Sequence, residues 1–176
     1  MRPVLRRVLF AAALLIGVLA LLAMRSVDWF LLKKSLHYKF ANVEWISTGE
    51  LAEWLTNKPL PAPLLLDVRT TEEWNVSHLP GARRIDPSAP AEIAAEGLKK
   101  ETPIVTYCAV GYRSGEMAER LRAAGFTNVR NLEGSIFQWA NEHRPLERGE
   151  ERVSQVHPYN SFWGRLLNDD VRARLK

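Results

Sequence analysis

The 176-residue chain holds a single cysteine, Cys108. One thiol excludes an intramolecular disulfide and a cysteine-rich zinc site, so the fold must rely on an apolar core of its own. Histidine is sparse too. His37, His78, His143 and His157 are scattered, and no two stand at a metal-ligand spacing. The chain lacks internal repeats and low-complexity tracts. It also lacks a basic folded surface, despite a net charge of +4. Residues 1–40 carry seven Lys/Arg and one Asp, whereas residues 41–176 carry 17 Lys/Arg against 19 Asp/Glu. The basicity belongs to the N-terminal segment, and a nucleic-acid partner is not indicated. The hydrophobic fraction of 47% and charged fraction of 25% are those of a folded chain, with room for one domain plus extensions.

Residues 8–24, VLFAAALLIGVLALLAM, are uncharged and almost wholly apolar. As a helix they span about 26 Å at ~1.5 Å per residue, close to the ~30 Å hydrocarbon core, and they show no polar face. Arg2, Arg6 and Arg7 precede the run and Arg25 follows it. The expectation is a single-pass N-terminal anchor over residues 1–25, in the inner membrane of a bacterium, with Trp29 and Phe30 at the interface. A cleaved signal peptide is the rival reading, but no small-x-small site follows the run. Three arginines on a short tail favour an N-terminus inside and a domain outside. Residues 26–44 are expected to form a juxtamembrane tether.

Beyond residue 45 the pattern alternates. Ser47 and Glu50 form a capping box ahead of Leu51, Trp54 and Leu55 at helical spacing, and Pro59, Pro61 and Pro63 end that helix. PLLLDVR (63–69) suits a strand buried on both faces. Thr70 and Glu73 open a second helix, HLPGA (78–82) is turn chemistry, and residues 88–100 are expected to be helical around their alanines. PIVTYC (103–108) is another buried strand, residues 114–125 a helix stopped by Gly125, 128–134 a strand, and 135–143 a last helix. Strands alternating with short helices predict βαβ units and a parallel sheet, with function gathered at the carboxyl ends of the strands. Trp45, Trp54, Trp74 and Trp139 are most simply core or interface residues.

Cys108 stands at such a carboxyl end. A lone cysteine is most often a small buried hydrophobe. The surroundings of this one argue otherwise, because Ala109, Val110, Gly111, Tyr112 and Arg113 must turn the chain into the helix that starts near Ser114. The backbone N–H groups of that loop and the helix dipole can stabilise a thiolate. Gly111 permits the positive φ such a turn needs, and Arg113 adds a cation suited to an oxyanion. The arrangement predicts a nucleophile for a small anionic substrate. Tyr112, beside it, is placed at the pocket entrance.

Two stretches, LLLDVRTTEEW…SHLPGA and PIVTYCAVGYRS, resemble the motifs of the rhodanese-like sulfurtransferases. Asp67, Arg69, Glu73, His78, Pro80, Gly81 and Ala82 stand in the expected order, with Ser77 where a glycine is common. LRAAGFTNVRNLEGSIFQW is similar to the segment that follows in that family. The resemblance covers roughly residues 45–145 and leaves 146–176 as a C-terminal extension. It implies an α/β fold with a parallel sheet of about five strands flanked by helices on both faces. It also implies sulfur transfer through a Cys108 persulfide, without metal or organic cofactor. The donor would be thiosulfate or a persulfide, and the acceptor a thiol or cyanide. The amides of residues 109–114 would hold the persulfide, Arg113 would bind the donor's sulfonate, and Arg69 would lie near the same mouth. Asp67 and His78 would be structural, the latter fixing its turn through a ring-to-backbone hydrogen bond rather than acting as acid or base.

Two rivals follow from the same residues. Cysteine-dependent phosphatases and some arsenate reductases use a similar cradle, but with five residues between Cys and Arg where this chain has four, and this loop holds no acid. A non-catalytic, membrane-tethered binding module is the other rival, although such modules typically lose the cysteine. For residues 146–176 the simpler expectation is a tail packed on the domain's own apolar surface. The alternative is a membrane-surface or partner-docking segment.

Overall fold

A computed structural model describes residues 15, 27–56 and 61–175. The expected membrane span, 8–24, lies outside the described residues apart from Leu15. Among the described residues no helix is long and apolar enough to cross a membrane.

Five strands form one parallel sheet in the order β1-β5-β4-β2-β3: β1 Glu44–Ile46, β2 Leu64–Asp67, β3 Arg83–Arg84, β4 Ile104–Tyr107 and β5 Val129–Leu132. The short apolar runs form strands because each buries side chains on both faces. In β2, Leu65 joins the core on one side and Leu66 the core on the other. Register follows, with Leu66 opposite Thr106 and Val105 opposite Arg130.

On one face lie helices α2 (Thr48–Thr56) and α6 (Ser135–Asn141), with Leu51, Phe137 and Trp139 buried. On the other lie α1, described over residues 27–39, α4 (Ala91–Ala94) and α5 (Tyr112–Ala123), packed through Leu36, Phe40, Met117 and Leu121. The short α3 (Thr71–Val76) follows β2. Both capping boxes form. Glu50 N–H donates to Ser47 Oγ at 3.2 Å while Ser47 N–H donates to Glu50 Oε2 at 2.9 Å. Thr70 and Glu73 cap each other in the same way.

Two expectations are corrected. Of the tether expected over 26–44, the described residues 27–44 do not hang free of the domain. Over 27–39 they form α1, and Leu36, Phe40 and Val43 are buried because the helix covers a sheet face that would otherwise be wet. Lys33 Nζ and His37 Nε2, each 2.9 Å from Glu133, fasten α1 beyond the end of β5. Residues 88–100 are helical only over Ala91–Ala94, because Pro90 starts the turn and Gly97, at φ +73°, breaks away from it.

The C-terminal extension folds back on the domain. A hairpin of β6 (Leu146–Arg148) and β7 (Glu151–Val153) precedes α7 (Ser161–Gly164). Leu146, Val156, Leu166, Leu167 and Val171 are buried in the same core as Leu51 and Phe137. His78 and Glu147 exchange backbone hydrogen bonds of 2.8 and 2.9 Å, joining the hairpin to the body.

Candidate active site

Cys108 follows β4 at its carboxyl end and is 1% exposed. The loop after it turns at Gly111, whose φ of +112° brings its N–H onto Cys108 Sγ at 3.2 Å. Asn131, fully buried in β5, donates from its side-chain amide to Gly111 O at 2.8 Å and holds the turn. The Cys108 N–H donates to Ser135 Oγ at 3.2 Å, and Ile136 and Phe137 N–H groups donate to the carbonyls of Cys108 and Ala109. Ser135 itself sits at φ +49°, so the chain bends sharply after Gly134 to meet the loop. The sulfur thus rests on a loop fixed from β5 and α6, at the amino end of α5, where backbone amides favour negative charge.

A cavity of about 270 Å³ opens over the sulfur. Its floor is Cys108, Ala109, Val110, Tyr112 and Arg113, and its roof is Tyr159 and Trp163 from the C-terminal extension. A larger groove, of about 520 Å³, lies at the amino ends of the strands beside Pro103 and Asn128, away from any thiol.

Arg113 is not free. Its Nη1 and Nη2 each donate to one oxygen of Glu73 at 2.7 Å. The Glu73 side chain is nearly fully buried and also accepts the Thr70 N–H at 3.1 Å, so one carboxylate caps α3 and grips the arginine. Burial opposes the Glu73 charge, but Arg113 outweighs it and holds the carboxyl below its ordinary 4.5. Burial likewise opposes the Arg113 charge, yet the bonds to Glu73 and the nearby Cys108 keep the guanidinium protonated more firmly than usual. The Tyr159 ring packs face-on against Arg113, 4.9 Å from Cζ to centroid.

The remaining residues proposed for the site are distributed differently. Arg69 does not reach the mouth, a correction with a clear cause. It is 0% exposed, with Nε and Nη2 on Asp67 at 2.9 and 2.6 Å and Nη2 also on Ser77 O at 2.6 Å. A guanidinium buried in that way is committed to an internal pair. Gly111 contributes its N–H but no cavity surface. Ser114 is buried within α5, and its hydroxyl has no hydrogen-bond partner among the described residues. Asp67 holds Arg69. His78 stacks on Trp74 at 3.6 Å, with Nδ1 3.3 Å from Trp74 O, and does not line the cavity. Tyr112 is exposed at the rim, its ring beneath Lys39 Nζ at 4.9 Å. Among the described residues no cluster suits a metal ion.

Sequence reasoning missed Glu73 as the partner of Arg113, Asn131 and Ser135 as loop supports, and Tyr159 and Trp163 as a roof. The signals were present but ambiguous. Asn131 is a polar residue inside a buried strand, and Glu73 already had a role as a cap.

Comparison with known proteins agrees with this geometry. Residues 47–142 match the family described as the rhodanese-like domain. A probable adenylyltransferase/sulfurtransferase, MoeZ of Mycobacterium tuberculosis, is 36% identical over 103 residues, which are 57% of this chain and 25% of that protein. A tRNA uridine(34) hydroxylase of Protochlamydia amoebophila is 36% identical over 96 residues, 51% of this chain and 28% of that one. The chain therefore spans only about a quarter of the length of these relatives. A rhodanese-like domain protein from Staphylococcus aureus superimposes with a TM-score of 0.51 at 30% identity, covering 60% of this chain and 97% of that one. Relatives of this domain thus include both sulfurtransferases and a hydroxylase. The matching segment holds the whole parallel sheet apart from β1, together with the Cys108 loop, and on that match the chain belongs to the rhodanese-like domain family.

Proposed function

We propose that the protein is a sulfurtransferase that carries a sulfane sulfur on Cys108. The observation that carries this reading is the thiol itself, set under an open cavity with the Gly111 N–H on its sulfur at 3.2 Å. With thiosulfate, the Cys108 thiolate attacks the outer sulfur and an Sγ–S bond forms. The donor's S–S bond breaks, and sulfite leaves with its electron pair. Cyanide then attacks the outer sulfur of the cysteine persulfide, giving thiocyanate and regenerating the thiolate. A thiol acceptor takes the sulfur as its own persulfide, its proton moving onto that product. The loop amides stabilise the anionic sulfur throughout. Among the described residues no Asp or Glu lines the cavity to protonate a leaving alcohol, and four residues separate Cys108 from Arg113, so phosphoryl transfer is disfavoured.

The test uses the full chain, reduced and kept in detergent, beside Cys108→Ser. Incubation with thiosulfate should add one sulfur to the intact mass of the wild type alone, and cyanide should remove it as thiocyanate appears. No gain from thiosulfate or from any persulfide would favour a binding module and end the catalytic reading.

We also propose that residues 8–24 tether the domain to a membrane, with the domain on the outer side. The apolar run ends three residues before the described part of α1 begins. Intact chain should sediment with membranes after a high-salt wash, and a reporter fused after Lys176 should work only outside the cytoplasm. A mature chain lacking residues 1–25 would replace the anchor with a signal peptide.

A further inference from the structure

We infer that the Cys108 cavity selects organic persulfides bearing an apolar group, and that Tyr159 and Trp163 of the C-terminal extension determine this preference. The inference rests on the sulfur-transfer reading and narrows its substrate class.

Three observations converge on it. The first is charge. Among the described residues Arg113 is the one cation lining the cavity, and Glu73 already meets it through two hydrogen bonds of 2.7 Å. The pair is neutral overall, so a doubly charged donor finds hydrogen bonds here but little net attraction. The second is size. A water occupies ~30 Å³ of liquid, so a cavity of about 270 Å³ has room for roughly nine. Thiosulfate has five non-hydrogen atoms and leaves most of that space unfilled. The third is lining. Apart from Cys108 and Arg113, the cavity wall is Ala109, Val110, Tyr112, Tyr159 and Trp163, the surface an apolar or aromatic substituent fills.

The roof is built rather than incidental. Val156, fully buried, anchors the segment through hydrogen bonds with Val171 and Ala173 at 2.8 and 3.0 Å. Asn160 caps α7 by accepting the Trp163 N–H at 2.9 Å. Gly164 lets α7 approach Pro158 so closely that an added Cβ would lie 2.7 Å from the proline's. Between these anchors Tyr159 adopts φ +64°, a conformation a bulky residue holds only when its surroundings impose it. That conformation sets its ring against the Arg113 guanidinium.

The reaction balances without a further reactant. The Cys108 thiolate attacks the terminal sulfur of R–S–SH, Sγ–S forms as the donor's S–S bond breaks, and the pair leaves with R–S⁻. The proton stays on the transferred sulfur.

The experiment compares sulfur loading of the full chain by methyl persulfide, benzyl persulfide and thiosulfate, read as the rate of intact-mass gain at subsaturating donor. Benzyl persulfide should load the wild type about tenfold or more faster than methyl persulfide, the discrimination expected when an apolar pocket is filled. Trp163→Ala and Tyr159→Ala should erase most of that ratio, and Tyr159→Phe should keep it. Thiosulfate loading should change far less. Because Tyr159 is 45% exposed, its variants test the roof without opening the core. Equal methyl and benzyl rates in the wild type would overturn the inference while leaving sulfur transfer standing. So would variants that slow all three donors alike. No loading from any donor would instead overturn the sulfurtransferase reading and this inference with it.

Discussion

Gly111 shows how one residue's backbone sets the chemistry. At φ +112° a side chain is strained, and a Cβ there would meet Leu36 Cδ1 at 3.4 Å and Trp45 at 3.5 Å. Gly111→Ala should cost about 1–3 kcal/mol and move the N–H that faces the sulfur. A lower melting temperature together with slower persulfide loading is expected, and unchanged loading would mean that this amide is not needed. Glu73 offers a second test at the same scale. Its folded pKa lies below the ordinary 4.5, so its stabilisation is fully present above that value and lost as pH falls through the depressed one. Glu73→Gln removes a buried partner and should destabilise by about 3 kcal/mol near neutrality. It should also flatten the loss of stability as pH falls from neutrality through the acid range, with the other depressed carboxyls, Glu50, Glu72, Asp86, Glu133 and Glu142, supplying the slope that remains. Urea midpoints across that range would show it, and an unaltered acid slope would deny Glu73 the role.

At the scale of elements, Gly115 decides how α1 meets α5. A Cβ at Gly115 would lie 2.7 Å from two ring carbons of Phe40. Alanine is intrinsically better in a helix by about 1 kcal/mol, so any penalty reports the clash. Gly115→Ala should destabilise by about 1–3 kcal/mol in the wild type. In a Phe40→Leu background the penalty should shrink, and an equal penalty in both would mean that the contact does not set the packing. This contact also explains which parts of the fold were legible in the sequence. Strands such as Leu64–Asp67 and Ile104–Tyr107, the two capping boxes and α5 are written in local patterns of apolar residues and hydroxyl–carboxylate pairs. Cys108 and the loop after it were legible for the same reason. The burial of α1 and the roof from residues 156–163 depend on contacts between distant segments, whereas Arg69 pairs with its near neighbours Asp67 and Ser77 and only its inward turn was illegible. A guanidinium at a strand end reads alike whether it turns into the protein or out towards a ligand. The aromatics Tyr159 and Trp163 were visible as a group, but nothing nearby in sequence indicated Cys108 as their neighbour.

Across the whole molecule, α1 separates the apolar run from the domain while belonging to the domain's core. Removing residues 1–26 should leave a cooperatively folding protein. Removing 1–40 deletes Leu36 and Phe40 and should cost several kcal/mol, since a large buried side chain contributes roughly 2–5 kcal/mol. Denaturant unfolding of the two truncations would separate them, and equal stability would mean that α1 contributes nothing to the fold.

The strand order carries a consequence for biosynthesis. Among the described residues β1 is made before the other strands, yet the one strand it pairs with there is β5, with Glu44 opposite Arg130 and Ile46 opposite Leu132. As the chain leaves the ribosome, the edge formed by β1 waits for nearly the whole core to appear, and Leu36 and Phe40 wait with it for α5. Pairing across such a sequence separation is slow and leaves sticky surface uncovered meanwhile. The nascent protein should therefore remain a client of chaperones until β5 emerges, and then close its sheet in one late step.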